Sequence, residues 1–316
     1  MNPLAVTPLS LALCLVSSAL GANEPPNQVD PQPDLQPESS HPFVFEAHTQ
    51  ALFVADSDFD DEIGEFQYNK IAAGIKATRR IGNSGMLSID FDAGLLNYEI
   101  TPSASSVAGD AANIGAQFDD VTMLSLIATY AHRTDQGGTW FIGGGVYVGL
   151  ENDADFGDSI DGMITGGYIY KINNNLELGM GIAMRTRLDD SVLVVPVPQI
   201  KYTINEYWSI TGQGVGAKIN YKASDSLNYG ISGGYESTTF RLDGSHTLAP
   251  DGMVTHQRFP LAFYAQYQSN DTIEISGRIG GLLASELEIL DTNGNDLTRQ
   301  DIDTGIFGAL TVSFRF

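Results

Sequence analysis

Cysteine is nearly absent from this chain: Cys14 is the single one in 316 residues. It sits in a compact apolar stretch, Leu9 to Val16, which is too short to cross a bilayer and runs into the small residues Ser17-Ser18-Ala19-Leu20-Gly21-Ala22. Residues 1–22 therefore read as a secretory signal peptide, cleaved after Gly21 or Ala22, although its first residues carry no Lys or Arg. Leu13 precedes Cys14, where a lipid-modified cysteine would follow a small residue, so a lipoprotein anchor is not expected. Cleavage leaves no thiol, which excludes disulfides and thiolate metal sites.

Basic residues are also scarce. Lys and Arg number 16 against 39 Asp and Glu, a formal charge of −23. Such a field opposes nucleic acid, and no basic stripe is present to bind it. After residue 22 no apolar run reaches the ~18 residues of a membrane-crossing helix. Strands escape that test, because alternation hides their apolar face from a sliding window. The five histidines, 41, 48, 132, 246 and 256, show no metal-ligand spacing beyond His246 and His256 sharing one long acidic loop. No cofactor motif is found, and none is expected to be needed.

What the chain does contain is period two. Residues 23–42 are a Pro-rich acidic linker without a base, expected to be disordered. From Phe43 onward, apolar and polar residues alternate with no convincing helix. Leu87, Ile89, Phe91, Ala93 and Leu95 alternate with Ser88, Asp90, Asp92 and Gly94. Leu176, Leu178, Met180, Ile182 and Met184 share one face; Ile273, Ile275, Ile279, Leu283, Leu287 and Ile289 share another, opposite Glu274, Ser276, Arg278, Glu286 and Glu288. The second face is rich in Gly, Ser, Thr, Asn and mixed charge, which suits a wet lumen better than the Lys/Glu exterior of a soluble sandwich.

Turn chemistry sets the topology. Short polar turns fall at 82–85, 135–138, 173–175, 205–206, 224–226 and 269–271, between longer acidic connections near 55–65, 101–120, 151–161, 188–192, 242–255 and 291–303. Short periplasmic turns alternating with longer outer loops mark a transmembrane β-barrel of the Gram-negative outer membrane. Tyr207 to Lys222 has a short turn at each end. A reversal at Gly212-Gln213-Gly214-Val215-Gly216 restores the parity and gives about 14 strands; about 12 remains open if this region is irregular. Residues 43–316 are thus expected to form one closed antiparallel barrel. Trp140, Tyr168, Tyr170, Tyr202, Trp208, Tyr221, Tyr229, Tyr267, Phe314 and Phe316 fall beside the short turns, as an interfacial girdle would. Thr304 to Phe316 alternates to a closing aromatic residue, the form of a closing barrel strand and of the signal read by the barrel-assembly machinery.

From about Pro198 to Phe316 the chain resembles an uncharacterised family of outer-membrane β-barrels, a domain of unknown function. The likeness rests on Tyr202, Trp208, the glycine reversal at 212–216, Tyr221, Tyr235-Glu236, Phe240-Arg241, Phe259-Pro260, Gly280-Gly281 and Phe314-Arg315-Phe316. It implies location and fold, and supplies no activity or catalytic residue.

Candidate sites follow from the inward face. Lys76, Asp90, Asp92, Lys171, Glu177, Arg185, Arg187, Lys201, Glu236, Glu274, Arg278 and Glu286 are the expected pore-lining residues, with Lys70, Lys218, Lys222 and Glu288 on the same face. They could equally close the lumen as a network of ion pairs. The acidic residues Asp56, Asp58, Asp60 and Asp61, and Glu151, Asp153 and Asp155, are weak candidates for divalent cations or for bridges to lipid headgroups. Gly230-Ile231-Ser232-Gly233-Gly234 matches a serine-nucleophile pattern, but it continues a strand where that pattern needs a strand-to-helix turn. Asp291 to Asp296 imitates a calcium loop without its sixth-position Gly or twelfth-position Glu. The expectation is a passive narrow pore for small solutes, mildly cation-preferring and without catalysis. The rival is a closed structural or surface-display barrel whose loops bind ions, headgroups or a partner.

Overall fold

A computed structural model describes residues 43–60, 64–102, 120–189 and 191–316. The expected signal peptide and linker, and Asp61, lie outside the described residues.

The first strands form a simple meander. β1 (Val44–Asp58), β2 (Gly64–Ile81), β3 (Gly85–Pro102) and β4 (Val121–Arg133) each pair antiparallel with the last. β5 (Thr139–Glu151), β6 (Ile160–Lys171), β7 (Leu176–Thr186) and β8 (Val192–Thr203) continue it. β9 (Trp208–Gln213) and β10 (Gly216–Lys222) are only 6 and 7 residues long and turn back on each other at Gly214. β11 (Leu227–Gly233) and β12 (Glu236–Arg241) lie against successive halves of β13 (Met253–Gln268). β15 (Asp296–Ile302) and β16 (Gly305–Arg315) likewise share β14 (Ile273–Leu290). β16 pairs with β1, which closes a 14-strand antiparallel barrel. Closure leaves the spanning wall no free end, the condition a sheet must meet in lipid.

The reversal expected between Tyr207 and Lys222 is therefore present. Its consequence is a wall of uneven height. β8 pairs with β7 along its whole length but with β9 only from Gln199 to Thr203. Val192 to Pro198 has a partner on one side alone. Gly214 N–H donates to the Pro198 carbonyl at 2.8 Å, so even-numbered backbone groups of β8 point to the open side. Pro196 and Pro198 thus remove two of the N–H donors that the edge would otherwise leave unpaired.

Side chains sort as a membrane barrel requires. Leu178, Ile182 and Ile275 are 42%, 56% and 41% exposed on the outer surface. Ile71, Leu95, Ile142, Ile164, Ile279 and Ile306 extend the same apolar belt. At the short-turn end, Trp208, Tyr221 and Tyr229 pack in series with ring centroids 4.9 and 5.0 Å apart. Tyr130 and Trp140 pack at 5.3 Å on the neighbouring arc.

The long-loop half departs from simple alternation. β1 takes three steps from Val54 to Ser57 while β2 takes two from Tyr68 to Phe66. β14 takes three steps from Leu283 to Glu286 while β13 takes two from Phe259 to Gln257, with Ala284 at φ 48°. An extra residue is a β-bulge, and it exchanges the faces of everything beyond it. Below the bulge Ser276 and Arg278 point inward; above it Ser285, Leu287 and Ile289 are buried instead. The expected face of Glu286 and Glu288 is therefore reversed: both side chains meet Arg299 of β15, away from the core.

These bends fold the outer parts of β12 to β15 across the barrel. Arg241 at the tip of β12 forms a parallel bridge with Leu150 of β5, on the opposite wall. Val54, Phe66, Tyr68, Leu96, Tyr98 and Val121 from the wall pack there against Phe240, Val254, Leu287 and Ile289 from the folded-in sheet.

Candidate functional site

The folded-in sheet is a roof over the lumen, and its own residues hold it. Gly149 of β5 lets β12 approach: a Cβ there would stand 2.5 Å from the Thr239 carbonyl oxygen and 3.2 Å from the Phe240 Cβ. Arg241 then ties the tip of β12 to three outer connections. Its guanidinium donates to the carbonyls of Asp158 at 2.9 Å, Leu188 at 2.7 Å and Asp251 at 2.9 Å. Within the core, His256 stands among the rings of Phe66, Tyr68 and Tyr98 at 5.2–5.8 Å. Arg258 approaches its Nδ1 at 3.3 Å and Ser285 Oγ its Nε2 at 3.0 Å. A guanidinium can only donate, so Nδ1 accepts and Nε2 is left to donate to Ser285.

The roof's lower side carries charge. Arg258 Nε donates to Glu236 Oε2 at 3.0 Å, and its guanidinium lies 5.2 Å from the Tyr68 ring centroid. Arg258 and Glu236 are cross-strand partners on β13 and β12. Beneath them the inward residues follow rows fixed by register. Arg278, Ala309, Leu52 and Lys70 are successive partners across β14, β16, β1 and β2. The next row toward the short turns holds Ser276, Thr311 and Gln50, with Gln50 Nε2 donating to Thr311 Oγ1 at 3.4 Å. Below that, His48 and Asp92 bond at 2.8 Å. Gly74 lies between them in register, and a Cβ on it would come within 2.2 Å of Asp92 Oδ1. A glycine at that point lets two side chains from strands once removed meet across the intervening one.

The expected pore-lining residues separate into groups. Lys76, Asp90 and Asp92 share the inner face of β2 and β3, with Lys76 opposite both Asp90 and Glu46. Lys171, Glu177 and Lys201 are successive cross-strand partners on β6, β7 and β8, near the short turns. Glu274 and Arg278 face inward from β14. Glu236 belongs to the roof. Arg185 bonds to Asp161 at 2.7 Å and lies over the Tyr147 ring. It lines a cleft between the roof and the inner face of β7 and β8, with Arg187, Asp189, Leu193, Thr239 and Met253. Glu286 stands apart, because the bulge at Ala284 turns it to Arg299.

The acidic loops are engaged locally. The Glu151 carboxylate accepts from the Asp243 backbone N–H at 3.0 Å, and Asp155 accepts from Gly157 N–H at 2.7 Å. Burial pushes the Asp189 carboxyl up, but hydrogen bonds from Ser191 and the nearby Arg187 outweigh it and hold the group below the ordinary carboxylate range. Asp56, Asp58, Asp60 and Asp153 are exposed, and no group of three acidic or histidine ligands that could hold a metal occurs among the described residues. Asp291 accepts from Asn293 and Asn295, closing its own turn. Ser232 lies in β11 opposite Lys218 and Ala262, while His256 bonds to Ser285 in the roof.

Sequence reasoning missed Tyr68, Tyr98 and Arg258, and set His256 in one loop with His246 although it belongs to β13. The available signal was loss of alternation. Ala51-Leu52-Phe53-Val54, Leu95-Leu96 and Ile289-Leu290 are apolar on both faces, as strands covered on both sides are.

No protein-family model matches the chain, and no curated protein matches it. Solved structures similar to it are membrane β-barrels. An outer membrane channel from Pseudomonas putida F1 is 10% identical over 90% of this chain and 100% of its own, with a TM-score of 0.48. The toluene transporter TodX of P. putida is 9% identical over 87% and 90%, TM-score 0.39. The translocator domain of the autotransporter NalP from Neisseria meningitidis is 12% identical over 87% and 88%, TM-score 0.37. All three scores fall below 0.5, so the architecture described above rests on this chain's own strand pairing.

Proposed function

We propose that this protein is a narrow, passive channel of an outer membrane, shut in the state described by its own folded-in sheet. The observation that carries the reading is the contrast inside one barrel. A polar, charge-lined lumen runs up from the short-turn end, and it stops at a roof of separate strand segments. The roof is held by local contacts, the Gly149 approach and the Arg241 clamp, which a wall strand would not need. A mild cation preference is supported by the acidic outer loops and the charge of −23. Small solutes are the fitting cargo, because the cleft beside the roof is narrow and carries both signs of charge. Export by residues 1–22, and insertion through the terminal strand by the barrel-assembly machinery, complete the reading.

Planar-bilayer recording tests it. Wild-type protein is expected to give rare, small conductance steps with a reversal potential on the cation side. Gly149→Val, which pushes β12 off β5, is expected to open larger and longer steps. Silence from both, with insertion confirmed, would defeat the channel.

A second reading has its own support. The packed core is continuous, and Arg258 bonds both Glu236 and His256 at its edge, as in a barrel closed for good. Its loops would then be the working surface, toward divalent cations, lipid headgroups or a partner. That reading requires Gly149→Val to stay silent.

A further inference from the structure

We infer that the lumen directly beneath the roof is a binding site for a phosphate-sized oxyanion, held by Lys70, Arg278 and the Tyr68 hydroxyl with Arg258 behind them. This concerns equilibrium binding, so it stands or falls separately from conduction.

The register sets two of the donors at the ends of one four-strand row. Lys70 and Arg278 occupy one row, flanking only Leu52 and Ala309, so no polar side chain lies between them. Tyr68 is two residues above Lys70 on the same face of β2. Arg258 bonds Glu236, and Lys70 and Arg278 lie within electrostatic reach of the same carboxylate. The other carboxylate within reach of Lys70 is Asp92, already bonded to His48 and Ser125. Three positive charges against two, one of the two engaged elsewhere, leave an excess. Neither Lys70 nor Arg278 forms an ion pair among the described residues. Both keep part of their surface accessible from the lumen.

Tyr68 supplies the second, independent sign. Its side chain is 1% exposed, and its hydroxyl is a buried polar atom with no hydrogen-bond partner among the described residues. The same hydroxyl is within electrostatic reach of Arg258, Glu236 and Arg278. A buried donor left without an acceptor, beside unpaired cations, has the chemistry of an anion seat. A chain with a charge of −23 has little reason to gather unpaired cations in its interior unless they hold something negative. Three donors on two strands, approaching from one side and above, suit an ion with several oxygens better than a single halide.

Titration calorimetry on the full chain in detergent, with inorganic phosphate as the probe and sodium chloride matched for ionic strength, tests this. Wild type is expected to bind phosphate saturably at millimolar concentration or below, and chloride not at all. Lys70→Met and Arg278→Met are each expected to weaken binding roughly tenfold, the loss of one charge-assisted contact. Tyr68→Phe, which keeps the ring in the core, is expected to weaken it a few-fold. Circular dichroism and heat-shifted gel migration confirm the barrel in each variant. No saturable heat with wild type, equal response to chloride, or unchanged binding in Lys70→Met and Arg278→Met would each overturn the assignment.

Discussion

Below the row of Leu52 and Arg278, β14, β16 and β1 to β3 present mostly polar residues inward and apolar residues to lipid, in period two. Above it, the same strands carry apolar residues inward as well, and three of their courses bulge or break at nearly one height: β1 after Val54, β14 at Ala284, and the last course between Ile302 and Gly305. The lower half obeys the rule of a water-filled barrel. The upper half obeys the rule of a globular core, where close packing rather than lipid fills the space beside each side chain. One sequence can do both because a single inserted residue exchanges two faces without breaking the ladder.

Substitutions that push the two halves toward one behaviour separate the two packing rules. The largest effect is expected from Gly149→Val, which should turn the roofed half into lumen and raise single-channel conductance several-fold. Arg258→Met leaves Glu236 buried beneath the core without its bonded partner. It should cost about 3–5 kcal/mol in urea unfolding from lipid, the loss usual for half of a buried ion pair. Leu287→Ala in the core should cost about 2–5 kcal/mol, whereas Ile279→Ala on the lipid face should cost clearly less, because lipid closes around the gap. Equal losses at Leu287 and Ile279 would deny that the halves differ.

The smallest effect concerns the outer connection between β12 and β13. Burial holds the His246 imidazole below its ordinary 6.5, against the opposing pull of Glu151 and Asp243. Its Nδ1 accepts from the Ala249 N–H at 3.1 Å, which requires that nitrogen to be unprotonated. With a depressed value in the fold, the opened loop takes up the proton first as pH falls below 6.5. Stability of residues 242–252 is therefore present above that pH and declines on acidification. Protection of the Ala249 amide, corrected for the intrinsic base-catalysed exchange rate, should fall between neutral pH and pH 5 in wild type, and His246→Asn should flatten the dependence.

Much of this was legible beforehand. Alternation around Leu178 and Ile182, the polar turns and the reversal at Gly214 sufficed for a closed barrel of about 14 strands, and the terminal aromatic strand for its closure. The roof was not legible from the same rule. Period two carried straight through Ala284 assigns Glu286 to the lumen and Leu287 to lipid, and a bulge at a non-glycine residue leaves no mark in composition. The runs that are apolar on both faces could have warned of a covered sheet, but only register shows which strand covers which. The candidate charges fared similarly. Arg278 and Lys70 were recognisable as inward, while their shared row depends on pairings three strands apart.

The roof depends on β12 crossing the barrel and seating against β5. Cysteine pairing tests it most directly, since Cys14 falls in the expected signal peptide and would leave no competing thiol. Leu150→Cys with Arg241→Cys places thiols on bridge partners, within reach of a disulfide that stands in for the Arg241 clamp it removes, and Arg241→Ser alone controls for loss of that clamp. Near-complete cross-linking is expected in native membranes under mild oxidation, with bilayers that stay shut until a reductant is added. Failure to cross-link, with both cysteines freely alkylated in a folded barrel, would contradict it.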